Sequence, residues 1–78
     1  MSKPVRRSAF RALLAENVRA ARLERQWSQE MLAEAAGLTQ VYISRIEAAK
    51  VAASVDTIES LTAAFKLDSA ALLSRKAV

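Results

Sequence analysis

The chain has 78 residues, 53% hydrophobic and 26% charged, with a net charge of +4 and neither cysteine nor histidine. That length allows one domain. A chain so short buries only about 60–65% of its unfolded surface, so marginal monomer stability is expected. The missing residue types exclude disulfides and thiolate or imidazole metal sites, and with them the commonest general base and thiol nucleophile. No apolar run approaches the ~20 residues that span a bilayer, no signal-peptide pattern is visible, and a cytoplasmic location is expected. Ala, Leu, Glu and Arg are plentiful while Gly and Pro occur once each, which favours helix throughout.

The charge is uneven. Residues 1–25 hold Lys3, Arg6, Arg7, Arg11, Arg19, Arg22 and Arg25 against Glu16 and Glu24, a local balance of +5. A basic N-terminal third points to a polyanion or an acidic surface as partner, and solvated helix charge is the plainer account. Residues 1–7, with Pro4, read as a mobile arm. Such an arm is either an end without a role or a segment that follows a nucleic-acid backbone or minor groove.

Ser8 can cap a first helix over about Ala9–Arg25. Phe10, Leu14, Val18 and Ala21 recur at the helical period, with Arg25 at the end of the stripe and Leu13 and Leu23 flanking it. Arg22 follows Val18 by four residues and so stands beside the buried stripe, where it requires an anionic partner. Gln26-Trp27 makes a corner. Trp27 reads as a core or corner residue that can staple onto Met31 or Leu32, since a base-stacking platform would need several interleaved aromatics.

Ser28 can cap a second helix over about Gln29–Ala36, with Leu32, Ala33 and Ala36 inward. Gly37, the only glycine, suits the left-handed residue that ends it. Thr39 can cap a third helix over about Gln40–Ala48, with Ile43 and Ile46 inward, helped by Leu38. Two short helices joined by so tight a turn form a helix-turn-helix, and the second is shaped to enter a DNA major groove. Its outward residues are Gln40, Val41, Ser44 and Arg45, with Tyr42 at a flank. These types suit base edges: Gln for adenine, Arg for guanine, Ser for either, Val for a thymine methyl.

Lys50–Val55 reads as a loop. Ser54 or Asp56 can cap a fourth helix through about Ala64, with Ile58, Leu61 and Phe65 inward. Asp68 can cap a short fifth helix carrying Ala71, Leu72 and Leu73. The expected class is therefore all-α, a compact five-helix bundle occupying residues 8–74, with a frayed tail at 75–78. An enzyme is not expected. Glu30 and Glu34 share a helix face but read as solvated, a single glycine forbids the phosphate-cradling loops, and no cofactor is called for.

Taken together, Val18-Arg19-x-x-Arg22, Trp27-Ser28-Gln29-Glu30-x-Leu32-Ala33-x-x-Ala36-Gly37-Leu38 and Thr39-x-x-Tyr42-Ile43-Ser44-Arg45-Ile46-Glu47 form a familiar series. With Ser54-Val55-Asp56-Thr57-Ile58-x-x-Leu61 and Asp68-x-x-x-Leu72-Leu73, it resembles the lambda-repressor-like helix-turn-helix family. The likeness is to the Cro and repressor branch, including the small controller proteins of restriction–modification systems. The resemblance implies a dimeric transcription regulator on a near-palindromic operator, with double-stranded DNA and a second copy as partners. It implies base contacts from Gln40, Val41, Ser44 and Arg45, and backbone contacts from Gln29, Thr39, Tyr42, Lys50 and Arg19. It pairs Arg22 with Glu47 as a structural ion pair. Dimerisation falls to Leu67, Ala71, Leu72 and Leu73, of which Leu67 or Leu72 can instead complete the monomer core. Glu30 and Glu34 occupy the helix where family activators can meet RNA polymerase.

Three positions depart from the family pattern: Ala49 and Lys66 stand where glycine is usual, and Ala52-Ala53 where Asn-Pro is frequent. Because a non-glycine residue in the left-handed region costs about 1 kcal/mol or more, either the loop takes another path or the third helix runs on through Ala49. The competing readings are a protein–protein module on the same fold, such as an antitoxin or adaptor, and a purely structural helical subunit. Acidic residues outward on the third helix would have favoured either; Gln40 and Arg45 favour DNA.

Overall fold

The computed structural model describes residues 5–74, so the parts of the expected arm and tail at 1–4 and 75–78 lie outside it. Five helices follow one another: α1 Val5–Glu24, α2 Gln29–Ala36, α3 Gln40–Glu47, α4 Val55–Phe65 and α5 Ser69–Leu73. No strand occurs among the described residues. Helix α1 begins upstream of the expected Ser8 cap, so Val5–Arg7 form helix and not arm. No helix breaker lies between Val5 and Ala9, and arginine and alanine are good helix formers, so nothing local stops the helix at Ser8.

The caps expected from sequence form at three helices. Ser28 Oγ accepts the Met31 N–H at 3.0 Å, Thr39 Oγ1 the Tyr42 N–H at 3.1 Å, and Ser54 Oγ the Thr57 N–H at 3.1 Å. Each satisfies one of the free first-turn donors. Asp68 occupies the corresponding position of α5 but its side chain makes no cap hydrogen bond.

The helix ends follow one rule. After α1, α2, α3 and α4 the chain turns through a left-handed residue: Gln26 (φ 59°), Gly37 (φ 71°), Ala49 (φ 60°) and Lys66 (φ 60°). Each turn carries the same paired bonds. Trp27 N–H reaches Arg22 O at 3.0 Å, Leu38 N–H Ala33 O at 2.9 Å, Lys50 N–H Arg45 O at 2.9 Å and Leu67 N–H Thr62 O at 2.9 Å. The left-handed residue itself donates to the carbonyl three residues back. These are four Schellman motifs, which satisfy carbonyls that a helix end leaves free. Neither alternative for Ala49 therefore holds. The loop keeps the glycine-type conformation, and the two closing hydrogen bonds outweigh the strain at alanine.

Leu14, Val18, Leu32, Ile43, Ile46, Leu61, Phe65 and Leu72 are all 2% exposed or less and form the centre of the core. Helix α1 packs on α3 and α5, α2 on α3 and α4, and α4 on α5. The stripe of α1 is narrower than expected, since Phe10 is 41% exposed and Leu23 51%. Phe10 sits a full turn before Leu14, where the buried part of the stripe begins among the described residues. Trp27 is a corner residue as expected. Its ring stacks on Phe65 with centroids 5.8 Å apart and planes 18° from parallel.

Candidate nucleic-acid interface

The α2–α3 unit is positioned by its inward residues. Ile43 and Ile46 on α3 and Leu32 and Ala33 on α2 are buried in the common core, so the opposite face of α3 is turned to solvent. On that face Gln40, Val41, Ser44 and Arg45 are exposed, Val41 by 65%. Together with Gln29 they line one open concavity. Among the described residues no hydrogen bond engages the side chains of Gln40, Ser44 or Arg45, so their donors and acceptors are presented outward. The concavity thus offers amide, hydroxyl and guanidinium groups beside one valine.

Beneath this face lies a charged clamp. Arg22 Nε donates to Glu47 Oε2 at 2.7 Å and an Nη to Glu47 Oε1 at 3.0 Å, while the other Nη donates to the Trp27 carbonyl at 2.8 Å. The side chains are only 11% and 5% exposed. The hydrogen bond to Glu47 raises the Arg22 pKa, burial opposes this, and the Glu47 charge adds to the rise. A fork-to-fork pair of this kind is geometrically specific. Here it ties the end of α1 to the end of α3 and to the corner before α2.

Gln29 joins the same clamp, donating from Nε2 to Glu47 Oε1 at 3.1 Å. The residue assigned by resemblance to a phosphate is therefore partly engaged within the protein, while still lining the concavity. Tyr42 is half-buried at the flank of α3, its hydroxyl 3.2 Å from Thr57 Oγ1. Thr39 serves as the α3 cap. Lys50, at the end of the α3 turn, and Arg19, on α1, are exposed. Glu30 and Glu34 are exposed on α2 with Met31 between them, 48% exposed. Of the four residues assigned to dimerisation, Leu67 is 37% exposed, Ala71 exposed and Leu73 half-buried. Leu72 is 1% exposed and cannot present a surface to a second copy. It fills the monomer core because α5 lies across α1 and α4.

Several residues hold this frame through partners that the sequence did not indicate, Arg25 at the end of the α1 stripe among them. Asn17 is 6% exposed and donates from Nδ2 to Leu72 O at 2.8 Å and Ser74 O at 2.9 Å, anchoring the end of α5 to α1. Its signal was an amide three residues after Leu14, on the apolar stripe. Arg25 donates to Phe65 O at 2.7 Å and to Ala21 O at 2.9 Å, and its guanidinium lies 5.0 Å over the Phe65 ring. Thr57 and Thr62 are buried on α4. Their placement on the inner face follows the Ile58 and Leu61 period. No group of three or more Asp and Glu among the described residues could hold a metal ion, and no described helix is long and apolar enough to cross a membrane.

Solved structures share this fold. A "Neisseria hypothetical transcription factor" from Neisseria meningitidis serogroup B is 40% identical over 55 residues, covering 70% of this chain and 52% of that relative. The chain thus spans about half the length of this curated relative. The crystal structure of the hypothetical transcription factor NHTF from Neisseria superposes with a TM-score of 0.81 at 36% identity, over 85% of this chain and 76% of that one. The restriction–modification controller protein C.AhdI from Aeromonas hydrophila superposes with a TM-score of 0.79 at 26% identity, over 82% of this chain and 97% of its own. An HTH_3 family transcriptional regulator from Vibrio cholerae shares the fold alone, with a TM-score of 0.81 at 17% identity, over 83% of this chain and 36% of its own. Residues 18–72, from the middle of α1 to the core leucine of α5, match the helix-turn-helix family HTH_3, and the chain belongs to that family in its Cro- and repressor-type form, related to the restriction–modification controller proteins.

Proposed function

We propose that this protein is a sequence-specific DNA-binding transcription regulator that acts as a dimer on a near-palindromic operator. The observation that carries this reading is the concavity on α3, where Gln29, Gln40, Val41, Ser44 and Arg45 converge on the solvent face of a helix-turn-helix. One recognition helix from each copy enters one of two successive major grooves, with half-sites about 34 Å apart. Arg45 reads guanine and Gln40 adenine, each bidentate pair contributing roughly 1–3 kcal/mol of discrimination. Val41 contacts a thymine methyl and Ser44 an adjacent base edge. Lys50, Arg19, Gln29, Thr39 and Tyr42 meet the backbone and set register. The exposed Leu67 and Ala71 with the half-buried Leu73 supply the dimer contact. Glu30, Met31 and Glu34 form an acidic patch with an apolar centre on α2, which suits contact with RNA polymerase and hence activation as well as repression. The regulatory relatives from Neisseria and Aeromonas support the same reading.

Titration against random duplex at low and moderate salt is the first test. Binding that weakens steeply with salt is expected, and absence of binding at low salt would refute the reading. Selection from random duplexes then yields the operator. With Arg45→Ala, base preference relaxes at one position per half-site. A uniform loss across all sequences would contradict its role in base reading. Sedimentation at micromolar concentration tests the dimer, and a monomer both free and on DNA rules it out.

A further inference from the structure

Three hydroxyls run in series from the N-cap of α4 to the flank of α3. Ser54 Oγ accepts the Thr57 N–H and donates its own proton to Thr57 Oγ1 at 3.0 Å. Thr57 Oγ1 lies 3.2 Å from Tyr42 Oη, and that distance alone leaves the donor open.

Burial decides the direction. Thr57 is 8% exposed, so its hydroxyl proton needs an acceptor inside the fold. A buried helical threonine commonly donates to a carbonyl one turn back, as Thr62 does to Glu59 O at 2.9 Å. Among the described residues Thr57 has no carbonyl partner. Ser54 is already donating to it, which leaves Tyr42 Oη as the acceptor. If Tyr42 donated inward instead, the Thr57 proton would be left buried and unmet. The arrangement that satisfies every group runs from Ser54 to Thr57 to Tyr42.

The consequence falls on the outer end. A phenol whose oxygen already accepts from inside keeps its own O–H for a group outside. Tyr42 stands on α3 between Val41 and Ser44, at the edge of the reading face. A DNA phosphate oxygen is acceptor-only and matches a committed donor. We propose that Ser54 and Thr57 are positioning residues that turn the Tyr42 O–H outward, as a dedicated donor to a backbone phosphate. This rests on the DNA-binding reading above, and it adds how one backbone contact is oriented from a neighbouring helix. It also explains why the hydroxyl pair sits at the start of α4: the Ser54 cap and the relay are one structure.

Two measurements test it on the full chain. Neutron diffraction from deuterated wild-type crystals locates the hydroxyl deuterons without any substitution. The Thr57 deuteron is expected on the line to Tyr42 Oη. A Tyr42 deuteron on the line to Thr57 Oγ1 would overturn the relay, whatever the protein binds. Duplex titration of Tyr42→Phe tests the destination. Affinity is expected to fall about tenfold or more for operator and random duplex alike, as for loss of a hydrogen bond to a charged group. The salt slope should not change, because a neutral donor releases no counterion, whereas Lys50→Ala lowers the slope by about one. Equal binding by a folded Tyr42→Phe variant and wild type overturns the phosphate contact. If wild type binds no duplex at low salt, the DNA reading and the phosphate destination fall together.

Discussion

Arg22→Met isolates the charged clamp. The substitution keeps most of the side-chain volume and removes every guanidinium donor. Glu47, 5% exposed in its side chain, is then left with the single Gln29 amide bond at 3.1 Å, and the Trp27 carbonyl loses its partner. Removing one member of a buried pair typically costs about 3–5 kcal/mol, because the other charge stays desolvated. A domain of this size has total stability at the low end of about 5–15 kcal/mol, so Arg22→Met brings it close to unfolding. A loss of about 3 kcal/mol corresponds to a drop in Tm of roughly 12–24 °C. The partner substitution separates desolvation from attraction. Arg22→Met with Glu47→Leu removes both charges, and the double variant should recover much of the loss. Urea denaturation followed by helical circular dichroism, at one fixed protein concentration so that association does not intrude, gives the four corners of the cycle. The Arg22 pKa is raised in the folded state. Its stabilisation is therefore complete at every pH below the ordinary guanidinium range and is lost only as pH rises through the higher folded value. Between pH 5 and 9 the Arg22→Met deficit should accordingly show no titration arising from the arginine. A deficit under about 1 kcal/mol, or a double variant weaker than Arg22→Met, would refute the role given to the clamp.

The left-handed helix ends and the α5 anchor give further tests. Ala49→Gly relieves a positive φ in an intact Schellman turn and should stabilise by about 1 kcal/mol, a rise in Tm of roughly 4–8 °C; a fall would show that Ala49 is not strained. Gly37→Ala is the converse. Beyond its two chain neighbours the added methyl meets no atom within 4 Å, so the expected loss of about 1 kcal/mol or more is local backbone strain, and an unchanged Tm would contradict it. Asn17→Ala removes both bonds to the end of α5 and should cost about 1–3 kcal/mol. Amide exchange should quicken most at residues 69–73, and uniform quickening across all helices would argue against a local anchor.

The sequence by itself determined where α2 and α3 lie, three of the caps and the outward strip at Gln40, Val41, Ser44 and Arg45. These rest on the 3.6-residue period and on cap chemistry, which act between residues three or four apart. It also indicated that Arg22, beside a buried stripe, needed an anion. Only the tertiary structure decided the features that join distant segments. Asn17 meets a carbonyl 55 residues away, Arg25 one 40 away, and Tyr42 a hydroxyl 15 away. Leu72 belongs to the monomer core because α5 crosses α1 and α4, which its own five-residue helix could not reveal. Gln26, Ala49 and Lys66 take the conformation that glycine prefers, since closing four helix ends against one core outweighs about 1 kcal/mol of local strain at each. Local rules placed the helices. How the helices close on one another settled which residues hold the outward face of α3 in place.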